Sequence, residues 1–183
     1  DTALNTAVEA IDRIRDTAES HERLFYVEVM GRDSGYIAMM SGIAGGAEQI
    51  LVPETPTDIN DLIENLRLWH AKGKNSCIVV VSEGDDAGKG IDVAKAVASQ
   101  SEFTEYRLAV IGHLQRGGRP TAFDRILASR LGVRATEALI GGETGKMAGL
   151  CGNKVELRPL SDAWEHRTKF DAGFLEVTEI LRT

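Results

Sequence analysis

Between residues 107 and 134 the chain carries six arginines and one aspartate, with no lysine or glutamate. That local balance is net +5 (6 − 1), inside a chain whose formal charge is −7 (21 − 28). At its centre, GHLQRGGRPTAFDR sets His113, Gln115, Arg116, Arg119 and Arg125 around the pair Gly117-Gly118. Guanidinium forks match phosphate oxygens, and glycines let the backbone approach a ligand closely. The pattern points to a receptor for a small, strongly anionic ligand. The plainer alternative is a solvated helix face, which most charge runs are.

Two other segments carry complementary groups: Met30-Gly31-Arg32 and Ser82-Glu83-Gly84. A carboxylate such as Glu83 accepts hydrogen bonds from sugar hydroxyls. Arg32, Glu83, His113 and Arg116 together suit a phosphorylated sugar better than a nucleotide base, for which no aromatic platform is present. Taken singly, Glu83 reads as an exposed turn residue, His113 as a packed or capping histidine, and Arg32 as a surface ion-pair partner. The case for a site rests on where they fall, since each follows a predicted strand.

Those strands belong to an alternating pattern. Leu4, Ala7, Val8, Ile11, Ile14 and Ala18 recur at helical spacing and predict an amphipathic helix over 2–20. LFYVEVM (24–30) and CIVVVS (77–82) read as buried strands, the second apolar on both faces as in a parallel sheet. A shorter strand is expected near 49–52 and another at 107–112. Helices are expected over 35–44, from an N-cap at Thr57 to a C′ residue at Gly73, near 90–100, and from Asp124 to Ile140. Leu127, Leu131, Ala135 and Leu139 mark the inner face of the last of these. One or two short strands at 146–158 and helical segments near 161–166 and 171–181 close the chain. The expectation is a single α/β domain, a Rossmann-like, mostly parallel sheet flanked by helices. Ligands of such sheets bind beyond the carboxyl ends of the strands. If the three strands are parallel neighbours, their tips meet in one crevice.

The bulk composition narrows the function. An acidic chain of 183 residues, 43% hydrophobic and 27% charged, is globular and not a general nucleic-acid binder. No apolar run approaches the ~18 residues of a membrane span, and the opening DTALNTAVEAIDRIRD is not a signal peptide. Lacking an initiator Met, the chain is expected to be a piece of something longer. Cys77 and Cys151, without zinc-type partners, read as reduced structural thiols of a cytosolic protein. GETGKM (142–147) and GDDAGKG (84–90) imitate a P-loop, but neither has its glycine spacing or the Ser or Thr after Lys. No metal-ligand spacing is present. A second, weaker basic group joins Arg15, Lys72 and Lys74 with Glu48, and solvated helix ends are the plainer account of it.

GHLQRGGRPTAFDRILASR, VEVMGRDSGY preceded by SHER, IAGGAE and the opening DTALNTAVEAIDRIRDT closely resemble the C-terminal half of bacterial-type 6-phosphofructokinases. The likeness runs through nearly the whole chain. It implies the phosphofructokinase fold and fructose 6-phosphate as substrate, held within one subunit by Met30, Gly31, Arg32, Glu83 and the turn His113, Leu114, Gln115 and Arg116. It further implies that Arg23 and Arg107 reach the 6-phosphate bound by a neighbouring subunit, and that Arg32 lies near the transferring phosphoryl group. Arg15, Gly46, Ala47, Glu48, Lys72, Lys74, Asn75 and Ser76 align with an effector site for nucleoside diphosphate or phosphoenolpyruvate, although other effector contacts of the family are missing. The family is a cytoplasmic, homotetrameric, allosteric glycolytic kinase using Mg²⁺ with ATP or pyrophosphate. Its Gly-rich nucleotide loop, GGDGS-type segment and catalytic TIDND aspartate belong upstream. Residues 1–183 would therefore be the substrate half, binding no cofactor alone and inactive alone. The remaining alternative is a non-catalytic sugar-phosphate or effector-binding module.

Overall fold

A computed structural model of the chain describes residues 1–19, 24–74, 76–165 and 172–181. Arg23 and Asn75 lie outside the described residues. The helices are α1 (Thr2–Glu19), α2 (Tyr36–Ala44), α3 (Ile59–Ala71), α4 (Gly90–Gln100), α5 (Ala122–Ile140), α6 (Asp162–Glu165) and α7 (Ala172–Leu181). The strands are β1 (Leu24–Val29), β2 (Gln49–Leu51), β3 (Cys77–Ser82), β4 (Tyr106–Val110), β5 (Lys146–Cys151) and β6 (Lys154–Pro159), and a 3₁₀ turn spans Gly112–Arg116.

The chain forms two compact units, where its length and composition suggested one domain. The larger comprises residues 3–118 and 170–183, the smaller residues 1–2 and 119–169. In the larger unit, β1 and β3 are buried along their whole length, and apart from Glu28 and Ser82 both faces are apolar. They form a parallel sheet in the order β2-β3-β1-β4. Alternate residues feed two cores. Phe25, Val27, Val29, Ile78 and Val80 pack with Ala7 and Ile11 of α1 and Ala38 and Met39 of α2. Tyr26, Val79 and Val81 pack with Leu62, Ile63, Leu66 and Trp69 of α3 and Val93, Ala94 and Val97 of α4. The α/β expectation with a parallel sheet is thus met.

Two local expectations need correction. The N-cap of α3 is Asp58, whose Oδ1 accepts from Asn60 N at 2.7 Å. Thr57 is used elsewhere: its hydroxyl donates to the buried Asp85 at 3.0 Å and its N–H to Asp86 at 3.0 Å. In the smaller unit Thr121 caps α5, accepting from Asp124 N at 3.3 Å. There α5 buries Ala138 and partly covers Leu127, Leu131 and Ala135, but Leu139 is 68% exposed. At ~100° per residue, position 138 falls on the line of 127, 131 and 135, and position 139 does not. The hairpin β5-β6 is antiparallel, so residues 146–159 add no strand to the parallel sheet.

Leu66→Ala should lower the stability of the larger unit by about 2–5 kcal/mol in denaturant unfolding, whereas Leu139→Ala should change the stability of the chain by no more than about 0.5 kcal/mol.

Candidate functional site

Because β1 lies between β3 and β4, the three carboxyl ends are neighbours in the sheet. Backbone pairing continues past the strand ends: Glu83 N donates to Val29 O at 2.9 Å and Ile111 N to Glu28 O at 3.0 Å. The loop 30–33 is then held by side chains from both flanking strand ends. Met30 N donates to Gln115 Oε1 at 2.8 Å. Gly31 N and Arg32 N both donate to Glu83 Oε1, at 3.2 and 2.9 Å.

These contacts fix an unusual backbone. Arg32 has φ 51°, in the left-handed region that a residue with a Cβ seldom adopts. Gly84 is required beneath it, because a Cβ there would lie 1.8 Å from the Arg32 carbonyl oxygen. Burial works against ionisation of Glu83. The amides of Arg32 and Gly31 and the guanidinium charges of Arg116 and Arg32 outweigh it, and its carboxyl sits below the usual glutamate range. Glu83 is therefore a carboxylate at neutral pH, with Arg116 and Arg32 in electrostatic reach.

Met30, Gly31, Arg32, Glu83, His113, Leu114, Gln115 and Arg116 are thus brought to one edge of the sheet. On the 3₁₀ turn, His113, Leu114 and Arg116 are exposed, while Gln115 is only 3% exposed and points inward. Arg107 is not part of this edge. It pairs with Phe25 near the start of the outer strand β4, and its Nη1 donates to Tyr106 O at 3.0 Å. Four residues separate it from Ile111, roughly 13 Å of strand.

The second group gathers at the opposite, amino end of the strands. Arg15 Nε and Nη2 donate to Gly45 O at 3.1 and 2.8 Å, and Nη2 also to Gly46 O. Its Nη1 stands 3.7 Å from Glu48, whose other oxygen accepts from Ile78 N at 2.8 Å. Ala47 N closes the turn onto Gly42 O at 2.8 Å. Ser76 precedes β3, and the exposed Lys72 and Lys74 follow α3. Burial, with the nearby Glu48, pushes the Cys77 thiol up to about 12 against the opposing charges of Lys74 and Arg15. Cys77 is buried at the start of β3, and its thiol stays protonated at neutral pH.

A cavity of about 520 Å³ lined by Gln49, Thr55, Asp58, Asp61, Glu64 and Asn65, among others, contains none of the expected site residues. A smaller one of about 230 Å³ includes only Lys74 of them. Sequence reasoning passed over Glu28, which is 8% exposed and accepts from Gly90 N at 3.0 Å at the start of α4. A lone glutamate in the apolar run LFYVEVM was the available signal.

The Glu83 clamp gives a pH prediction. A group with a depressed folded pKa contributes stability above its unfolded pKa, and that contribution is lost as pH falls through the folded value. Hydrogen-exchange protection of the Gly31 and Arg32 amides should therefore hold down to the ordinary glutamate pKa of about 4.3 and disappear below it. Loss of protection between pH 6 and 5 would contradict the clamp.

Comparison with known proteins identifies relatives of the chain. The Phosphofructokinase family profile matches residues 1–139. ATP-dependent 6-phosphofructokinase 1 of Thermus thermophilus is 51% identical over 181 residues, covering 99% of this chain and 56% of the relative. Among solved structures, the phosphofructokinase of Saccharomyces cerevisiae superposes with TM-score 0.82 at 32% identity, covering 98% of this chain and 24% of that one. A pyrophosphate-dependent phosphofructokinase from Marinobacter aquaeolei superposes with TM-score 0.77 at 27% identity, covering 94% and 48%. The chain spans about half the length of the curated relatives it matches. With that profile covering most of its length, the chain belongs to the phosphofructokinase family.

Proposed function

We propose that this chain is the sugar-phosphate-binding half of a 6-phosphofructokinase, which transfers a phosphoryl group to the 1-hydroxyl of fructose 6-phosphate. The observation that carries the reading is the meeting of Arg32, Glu83 and Arg116 at one sheet edge, where Glu83 Oε1 accepts from the Arg32 amide. His113 and Arg116, exposed on their turn, grip the 6-phosphate. Glu83 Oε1 is engaged by the loop amides, and Oε2, which makes no hydrogen bond among the described residues, accepts from a sugar hydroxyl. Arg32 lies toward the phosphoryl group in transfer and stabilises its charge. Arg107, exposed and remote from its own crevice, acts with Arg23 on the phosphate bound by a neighbouring subunit of a homotetramer.

ATP is the donor this reading favours, given the identity with an ATP-dependent relative. Among the described residues no group of three or more His, Cys, Asp or Glu side chains could hold a metal ion. On this reading Mg²⁺, the nucleotide cradle and the general base are supplied by the part of the enzyme beyond the half of its relatives' length that this chain spans. The Arg15–Glu48–Lys74 group is the effector site of an allosteric enzyme, taking a nucleoside diphosphate or phosphoenolpyruvate. The enzyme works in cytoplasmic glycolysis, with neither nucleic acid nor membrane as a partner. Among the described residues no helix is long and apolar enough to cross a membrane.

The test is calorimetric titration with fructose 6-phosphate beside a coupled kinase assay. The 183-residue chain should bind the sugar phosphate weakly and more tightly as it oligomerises, and should transfer no phosphoryl group. Supplying an upstream nucleotide half should give transfer. Phosphoryl transfer by the chain alone, or no transfer from the joined halves, would refute the reading; the second result would leave a binding module.

In the joined enzyme, Arg116→Ala should reduce kcat/KM for fructose 6-phosphate by an amount equivalent to about 2–5 kcal/mol, the loss on breaking a desolvated charge pair. An unchanged kcat/KM would remove Arg116 from the site.

A further inference from the structure

We propose that Gln115 is a positioning residue that ties the phosphate-gripping turn to the Met30–Arg32 loop, so that the two walls of the crevice keep one spacing. The proposal rests on the sugar-phosphate reading above for the ligand it serves. Its geometric basis is independent of that reading.

Gln115 sits between Leu114 and Arg116, both exposed, yet is itself 3% exposed. Its Oε1 accepts from Met30 N at 2.8 Å, the first amide beyond the end of β1. That amide has left the ladder, and the side chain takes the place of the missing strand partner. The Nε2 group is buried without a partner among the described residues. Ser82, fully buried at the end of β3 and paired with Val29, also has an unpartnered Oγ. That Oγ lies 3.4 Å from the point where a Cβ on Gly31 would stand. Packing alone would favour apolar side chains at both positions, because an unmet buried polar group is costly. Polar groups kept on both sides of one loop fit a demand for backbone position.

Position matters here because the loop has little latitude. Arg32 is already in the left-handed region and Glu83 fixes only Gly31 and Arg32. The Met30 amide is set by Gln115, on the same turn as His113 and Arg116. A ligand gripping only the turn does not sense the loop. One spanning from the turn to Arg32 does.

The probes are inorganic phosphate and fructose 6-phosphate, titrated calorimetrically into the wild-type chain, Gln115→Met and Gln115→Glu. Met keeps the length and loses the acceptor, while Glu keeps an acceptor oxygen at the same reach. Gln115→Met should weaken fructose 6-phosphate about 5- to 10-fold, the loss of one hydrogen bond, and change phosphate by no more than about twofold. Gln115→Glu should keep the Met30 amide protected from exchange, while its added negative charge weakens both anionic probes. Unchanged sugar-phosphate affinity in Gln115→Met, parallel weakening of both probes by Gln115→Met, or loss of Met30 amide protection in Gln115→Glu would overturn the proposal. Amide exchange at Met30 in the ligand-free wild-type chain gives a second measurement that needs no variant to fold. Slow exchange is expected, and exchange at the rate of an exposed loop amide would overturn the brace. A wild-type chain that binds neither probe would sink the functional reading, with Met30 exchange still deciding on the brace.

Discussion

The parallel pairing of β1 with β3 on one side and β4 on the other is the constraint on which the rest of the larger unit depends. Parallel strands send all their carboxyl ends in one direction, so loops far apart in sequence arrive at one edge. Residues 30–33, 82–84 and 112–116 become neighbours only through that register. The same polarity sends Arg15, Glu48 and Lys74 toward the amino ends, with the length of β3, roughly 17 Å, between the two groups. Two polar clusters can thus occupy one sheet without sharing a residue. Because both faces are covered by helices, polar groups are confined largely to the two ends. Glu28, capping α4 from inside the sheet, is the marked exception.

At the carboxyl edge the controlling feature is the backbone of Arg32. A left-handed arginine persists only where its surroundings hold it. Glu83 supplies that hold through one oxygen, and Gly84 supplies the space. One carboxylate can thereby order the loop and still present its second oxygen to a ligand. Against the effect of burial, the Arg32 and Gly31 amides, and after them the charges of Arg116 and Arg32, hold its carboxyl below the usual glutamate range. With two arginines against one glutamate, the charged groups named at this edge are net positive.

Much of this was legible in the sequence, for physical reasons that differ by element. CIVVVS and LFYVEV announce buried strands because no helix or exposed strand would use them. Arg32, Glu83, His113 and Arg116 stand out because charged side chains follow apolar runs at each strand end. The inward turn of Gln115 was not legible, since a 3₁₀ turn of five residues has no periodicity to assign faces. The cap of α3 was misjudged because Thr57 and Asp58 are both good cap residues, and the choice is made by the distant Asp85. The face of α5 was misjudged because Phe123, Ile126, Leu127, Leu131, Val133, Leu139 and Ile140 surround the helix without forming one stripe. The division into two units leaves no compositional mark, since the boundary at Arg119 falls inside the arginine-rich block. Arg107 is at the far end of its strand, which sequence register alone could place but could not explain.

Residue-resolved chemical-shift mapping of the chain titrated with fructose 6-phosphate tests the central claim most directly. The account predicts shifts concentrated at Met30–Arg32, Glu83–Gly84 and His113–Arg116, with Arg15 and Gly46–Glu48 unmoved. Shifts confined to the amino-end group, or to the cavity at Gln49 and Asp58–Asn65, would contradict it.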